Sequence, residues 1–413
     1  MSERLTNWAG NIVFHARSVR RASSVAELQE IVAGGGPIRV LGSGHSFNRM
    51  ADTVGTLVSL ADLPRITEIS ADRASVRVDG GIRYGELAGY LYENGLALHN
   101  TASLPHTSVA GAVATATHGS GVRNQNLAAA VSSIEFIDGS GKNVTLARGD
   151  ADFPGAVVSL GAIGIVTALT LDVVPAFELR QYVYDDVPRA SVDQHLDEML
   201  ADGYSVSLFT NWTSLDISHA WLKRIETMSG DWYGAHPADG PRHPVPGMPA
   251  TNSTEQGGVL GPWHTRLPHF RMEFTPSSGE ELQSEYHLAR ADGVRALDAV
   301  ASIRDQVAPV LQVCEVRAIK ADELWLSPNY RRDTIALHFT WIADTDAVLP
   351  VVTEIENRLA PLSPRAHLGK VFTQSPEFIR DGYEHFGDFE DLVRRYDPDG
   401  TFRNAWLVEL LSF

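Results

Sequence analysis

The segment RVLGSGHSFN, residues 39–48, sets a histidine directly behind a Gly-Ser-Gly triplet at the end of a strand-like run. Glycines let the backbone approach a ligand closely, and successive N–H groups in such a turn form a concavity that binds anions. His45 is therefore a side chain with acid–base and nucleophilic capacity at the rim of a phosphate-sized nest. A second segment of the same kind, THGSG at 117–121, carries His118. Two Gly/Ser loops that each hold a histidine favour a phosphate or pyrophosphate ligand over a plain turn.

A different chemistry lies in two strand-like segments. In LQVCEVR (311–317) a period of two puts Leu311, Val313, Glu315 and Arg317 on one face. In IALHFTW (335–341) Ala336, His338 and Thr340 share a face, with Leu337, Phe339 and Trp341 on the other. Gln283 in ELQSEY and Lys370 in HLGKVF are lone polar residues in comparable runs. A carboxylate and a guanidinium bounded by Val and Cys, not by other charges, suit a dry cavity better than a solvent-facing strand. Paired donors and acceptors of this kind recognise hydroxyl groups.

Other chemistries are excluded. Asp62 lies about where a ribose-binding acid follows a dinucleotide fingerprint, but Phe47 occupies the third glycine position and no amphipathic helix starts there. There is no G-x-S-x-G for a serine hydrolase and no H-E-x-x-H among the 15 histidines, so no metal site is expected. Lys and Arg number 34 against 51 Asp and Glu, a net charge of −17, which leaves no basic footprint for nucleic acid or anionic membrane. No retention on immobilised heparin or DNA at physiological salt is expected, and salt-sensitive retention would refute this reading. Cys314 is the only cysteine, so no intrachain disulfide forms. The first 24 residues hold no apolar h-region, despite the Arg20-Arg21 pair, and no run of 18 apolar residues occurs. A cytoplasmic protein is expected.

The elements that must position these groups divide the chain in two. Up to about Pro175 the pattern is α/β: helix-like 24–34, strands near 37–44, 56–60, 65–70 and 75–81, and a helix from 84 closed at Gly95. A small-residue segment at 104–121 follows, then a hairpin about Asp138-Gly139 and a helix end leading into a long strand over 156–175. Beyond it, alternating strands at 204–212, 219–226, 270–276 and 334–342 surround a Pro/Gly-rich excursion at 235–262, with helices near 189–201, 292–308 and 345–359. This is an α+β chain: residues 1–175, completed by 374–413, form one domain, and residues 176–373 form a second built on an antiparallel sheet.

The blocks RVLGSGHSFN, SLPHTSVAGAVATATHGSG and SLGAIGIVTALTL resemble the flavin-binding domain of the vanillyl-alcohol-oxidase superfamily. Through HPVPGMPA, CEVR, HFTW and GKVFT the resemblance extends over essentially the whole chain to the sugar-alcohol oxidases. It implies that FAD is bound covalently, a ring nitrogen of His45 joined to the 8α-methyl of the flavin. It also implies pyrophosphate wrapping by Val40, Leu41, Gly42, Ser43, Gly44 and Ser46. Further FAD contacts would come from Ser103, Ser108, Gly111, the stretch Thr115, Ala116, Thr117 and His118, and from Val166 and His367. Ser103, Glu315, Arg317, Thr340 and Lys370 would hold a polyol, with Gln283, His338 and Tyr84 nearby; Lys370, Arg317 and Glu315 would act in catalysis. The implied reaction turns an alditol, xylitol or sorbitol, into the aldose while oxygen becomes hydrogen peroxide, in a chain acting as a monomer. An aldonolactone oxidase or dehydrogenase, and a non-catalytic polyol-binding protein, are the alternatives. Leu368 departs from the H-W-G-K of the family; alternation turns it away from Lys370, so altered packing is expected there.

Overall fold

Ser24 starts the first helix, α1 (Val25–Ala33): its hydroxyl accepts the Glu27 N–H, and the Glu27 carboxylate accepts the Ser23 N–H at 2.9 Å. The computed structural model that contains it describes residues 5–273 and 280–413. Strands β1 (Ser18–Arg21), β2 (Ile38–Leu41) and β3 (Thr56–Ser59) form a parallel sheet in the order β1-β3-β2. The His45 loop leaves the end of β2.

Strands β4 (Thr67–Ile69), β5 (Ser75–Asp79), β6 (Val131–Ile137), β7 (Asn143–Ala147) and β8 (Ile165–Asp172) form an antiparallel sheet in the order β4-β5-β8-β6-β7. The β6–β7 hairpin turns at Asp138, whose carboxylate accepts the Ser140 and Lys142 N–H groups. Helix α2 (Tyr84–Glu93) ends as expected at Gly95, which takes φ +69° and donates its N–H to the Tyr92 carbonyl. The small-residue segment supplies helix α3 (Val109–Ala114). One core joins these parts, and Ile379, Phe389, Leu392 and Leu407 of the C-terminal helices pack into it.

A nine-stranded antiparallel sheet forms the rest, with β9 (Glu178–Val187), β10 (Ser205–Thr210), β11 (Ile217–Arg224), β12 (Glu281–Ala289), β13 (Leu311–Ile319) and β14 (Thr334–Ile342) in the order β9-β11-β10-β13-β14-β12. Two-residue ladders extend its edges: His236–Pro237 and Gly261–Pro262 on β9, and Arg365–Ala366 on β12. Helices α4 (Arg189–Ala201), α5 (Gly293–Ala301) and α6 (Thr345–Leu359) cover one face, where Val192, Leu297 and Val352 join the core of Val316, Leu337 and Phe339. The alternate residues of β12, β13 and β14 face the other way.

Three expectations are corrected. The segment at 270–276 is no strand: Phe270 makes one isolated bridge to Ser253, Met272 and Glu273 lie in a turn, and 274–276 fall outside the described residues. The helix near 292–308 breaks after Ala301 and resumes as the short turn Arg304–Val307. A register shift between Leu311 and Val313 puts Leu311 in the core beneath the helices, on the face opposite Val313, Glu315 and Arg317. A bulge of this kind adds one residue and inverts the alternation before it.

Candidate active site

Both chemistries singled out in the sequence open onto one cleft of about 1140 Å³. That exceeds the roughly 300–1,000 Å³ of an ordinary small-ligand site and leaves room for a large cofactor with a second molecule beside it. One end is the loop from Val40 to Ser46, facing Ser103, Ser108, Gly111, Thr115, Thr117, His118 and Val166. The other is the free face of the large sheet, with Gln283, Glu315, Arg317, His338 and Thr340, closed by His367 and Lys370. The Pro/Gly-rich excursion roofs the cleft through residues that include His243, Val245, Met248 and Asn252.

The glycine end is a tight cradle. A Cβ on Gly42 would lie 2.4 Å from Ser108 Oγ, and one on Gly111 would lie 2.8 Å from the same atom, so neither position accepts a side chain without rearrangement. Gly44 adopts φ +73°, the left-handed region open to glycine. Ser108 Oγ is buried and has no hydrogen-bond partner among the described residues. A buried hydroxyl without a partner is costly alone and is satisfied by a bound polar group; beside glycine backbone it suits a pyrophosphate. The residues present therefore fit FAD. His45 stacks obliquely on Trp8 at 4.8 Å, and burial, with His106 and Arg83 nearby, pushes its pKa down to about 4. Its ring is neutral at pH 7, with a lone pair on one nitrogen.

The same loop is tied to the other end of the site. Asn48 donates to the carbonyls of Leu368 at 2.7 Å and Lys370 at 2.9 Å, while the Phe47 N–H bonds the Gly369 carbonyl at 2.8 Å. Lys370 thus sits on a turn clamped by the His45 loop. Leu368 points into the core, away from the cleft.

A carboxylate missing from the expected set organises the polar end. Glu285 on β12 pairs in register with His338. Its Oε1 takes Arg317 Nη2 at 2.6 Å and lies 3.1 Å from His118 Nε2, and its Oε2 takes Lys370 Nζ at 2.7 Å. Glu315 Oε1 meets His269 Nε2 at 2.7 Å, and its Oε2 lies 3.7 Å from both Arg317 Nε and His338 Nδ1. Two carboxylates and two cations alternate in largely buried positions, an arrangement that tolerates burial only because every charge is paired. Burial opposes ionisation of Glu285, but Lys370 and Arg317 more than offset it and hold its carboxyl well below the ordinary range. Arg317 is likewise held up by Glu315 and Glu285 against burial. Burial pushes the Lys370 ammonium below its ordinary value, Glu285 opposing. It also takes His338 down to about 4, so that ring is neutral at pH 7.

His118, Glu285 and His287 bring their ligand-type atoms within 4.8 Å of one another. Arg317 and Lys370 already hold the one carboxylate there, so a divalent cation would meet two buried positive charges.

Two expected residues lie elsewhere. Tyr84 is packed in the first core and does not line the cleft, and Ala116, at φ +54°, is fully buried behind it. Of the residues that sequence reasoning missed, Glu285 follows Gln283 by two along one strand, so alternation contains its signal. His269, in an irregular segment, and Lys223, in the alternating strand at 219–226, have none.

The FAD binding domain family matches residues 16–147, and the D-arabinono-1,4-lactone oxidase family matches residues 279–410. The chain is 52% identical over 416 residues to an alditol oxidase of a Streptomyces species, with the whole of both chains covered. It is 30% identical to the L-gulono-1,4-lactone dehydrogenase of Mycobacterium tuberculosis, again over the full length of both. A crystal structure of cholesterol oxidase from B. sterolicum shares the fold, with a TM-score of 0.80 at 12% identity over 99% of this chain and 96% of that one. With an FAD-type cradle at one end of its cleft and full-length likeness to such an enzyme, the chain belongs to the alditol oxidase family of FAD-binding oxidoreductases.

Proposed function

We propose that this protein oxidises the terminal primary alcohol of an alditol, such as xylitol or sorbitol, to the aldose, with FAD joined to His45 and oxygen reduced to hydrogen peroxide. The observation that carries the reading is the alternating set Glu315–Arg317–Glu285–Lys370 in one cleft with the glycine loop. The 52% identity to an alditol oxidase supports it. When bound, FAD supplies the hydride acceptor and passes the electrons to oxygen. Arg317 and Lys370 converge on the reacting hydroxyl and favour loss of its proton, because two cations stabilise the oxygen's growing negative charge. Glu315 accepts a hydrogen bond from the neighbouring hydroxyl, and Thr340, Gln283 and Ser103 offer further partners along the polyol. Glu285 holds both cations in place without touching substrate.

The match to a lactone oxidase family over 279–410 favours one rival, oxidation of an aldonolactone. Anaerobic reduction of the bound flavin by xylitol and sorbitol, set against an aldonolactone, separates the two; faster reduction by the lactone overturns the proposal. A colourless purified protein would instead indicate a binding protein without a redox role. We place the enzyme in the cytoplasm, a reading supported by its single, buried cysteine and checked by cell fractionation, and we propose a monomer, which sedimentation checks.

The His45 bond has its own test. After acid precipitation the yellow colour is expected to stay in the pellet for the wild type and to move to the supernatant for His45→Ala. The variant should still bind FAD, because the cradle is glycine backbone and Ser108. Release of all flavin from the wild type would refute the covalent attachment.

A further inference from the structure

Lys223 is a lysine with no place in the mechanism, fully buried on β11 beneath the cleft. Among the described residues it makes no ion pair with a carboxylate. Its Nζ donates to the carbonyls of Leu267 and of Pro268, the latter at 3.4 Å, and lies 3.0 Å from His269 Nδ1. An ammonium offers three donors and no acceptor. With Nζ as donor, Nδ1 of His269 must be the acceptor. Burial, reinforced by Lys223, pushes the His269 pKa down to about 4, so the ring carries one proton at neutral pH. That proton is left on Nε2, 2.7 Å from Glu315 Oε1. His269 is anchored independently: its N–H bonds the Ser103 carbonyl at 3.0 Å.

We infer that Lys223 and His269 form a positioning relay, in which the lysine fixes the Nε2–H tautomer of His269 so that the ring donates to Glu315 and orients this carboxylate as an acceptor for a substrate hydroxyl. The opposite tautomer would turn a lone pair toward the carboxylate and push it away. Neither residue is a catalytic residue. The inference rests on Glu315 serving as the polyol acceptor proposed above. Charged or titratable groups near Lys223 are His269, from the segment after Trp263, and Glu315 and Arg317 on β13; its strand neighbours Ser205 and Gln181 are uncharged. Burial takes the Lys223 ammonium down to about 7, with Glu315 opposing, so the donor form dominates on the acid side of neutrality.

The test has two parts. In the intact holoenzyme labelled with 15N-histidine, long-range 15N–1H correlations at pH 6 report the tautomer of His269, assigned by its loss in His269→Gln. A protonated Nε2 with a bare Nδ1 is expected; a protonated Nδ1 overturns the relay whatever the substrate proves to be. Anaerobic flavin reduction by xylitol gives the second readout. His269→Leu should raise the apparent Kd for xylitol about tenfold or more while the limiting rate stays within about threefold. His269→Gln, which keeps an N–H donor toward Glu315, should recover most of that loss. A 1-alkanol, lacking the neighbouring hydroxyl that Glu315 would accept from, should bind all three proteins within about threefold. Unchanged xylitol binding in His269→Leu, or equal losses in both variants, overturns the relay. If the wild type is not reduced by any polyol, the proposed activity fails, and the tautomer still decides the relay. Should a variant not fold, the wild-type spectrum decides it alone.

Discussion

Replacing Lys370 or Arg317 by Met is expected to slow flavin reduction by xylitol at least about a hundredfold in each case. Removing one preorganised charged donor from a developing oxyanion typically costs on the order of 3 kcal/mol, which converts to about that factor in rate. Neither change strips the site of its other pairings. Without Lys370, Glu285 keeps Arg317 at 2.6 Å; without Arg317, Glu285 keeps Lys370 at 2.7 Å and Glu315 keeps His269 at 2.7 Å. Both variants should therefore fold and carry normal FAD, since the glycine cradle lies at the other end of the cleft. Glu315→Gln should act mainly on substrate affinity, because in the proposed reading its carboxylate serves a hydroxyl adjacent to the reacting one. Anaerobic stopped-flow measurements decide the matter: wild-type reduction rates in Lys370→Met and Arg317→Met would place the chemistry elsewhere.

The second large effect concerns Glu285, which sits 1% exposed between the two cations. Substitution by Gln removes the charge but keeps the shape, leaving Lys370 with no carboxylate partner among the described residues and Arg317 with the longer ion pair to Glu315 and its contact to His338. Breaking a buried pair on one side typically costs about 3–5 kcal/mol, far more than an exposed salt bridge contributes. Thermal unfolding at pH 7 should show Glu285→Gln clearly less stable than wild type, and flavin reduction by substrate should slow because Lys370 and Arg317 lose their common anchor. The sign of the pH dependence follows from the depressed carboxyl. Its stabilisation is fully present above the ordinary glutamate value of 4.5 and is lost as pH falls toward the folded-state value, well below that. The stability gap between wild type and variant should accordingly narrow as pH drops below about 4.5. Equal melting temperatures at pH 7 would show that Glu285 does not hold the cations.

Much of this site could be read from local sequence, for a physical reason. A close backbone approach to an anion needs glycine, so GSGHS advertises itself within seven residues, 40–46. A polar stripe in a buried strand violates the expected pattern every second residue, so Glu315 with Arg317 and His338 with Thr340 stand out. The structure brings these four together because β13 and β14 pair with Glu315 opposite His338. The helices at 24–34 and 84–95 were likewise legible, since a cap and a left-handed glycine are signals within one turn.

What only the tertiary structure decided are features set by contacts distant in sequence. The bulge between Leu311 and Val313 answers to the partner strand, so alternation alone wrongly placed Leu311 with Glu315. Tyr84 begins a helix whose buried side joins the first core, and no property of the residue distinguishes packing there from lining a cleft. His269 occupies a segment with neither period, where no pattern can tell which way a side chain turns. Lys223 stands in an alternating strand segment with no local mark of burial; its burial depends on carbonyls 44 and 45 residues further on. The sequence by itself determined which residue types were available for flavin and hydroxyl chemistry. Which carboxylate holds which cation, and which histidine orients Glu315, was decided by the pairing of strands and the docking of loops, because a charge can be buried only where folding delivers its partner.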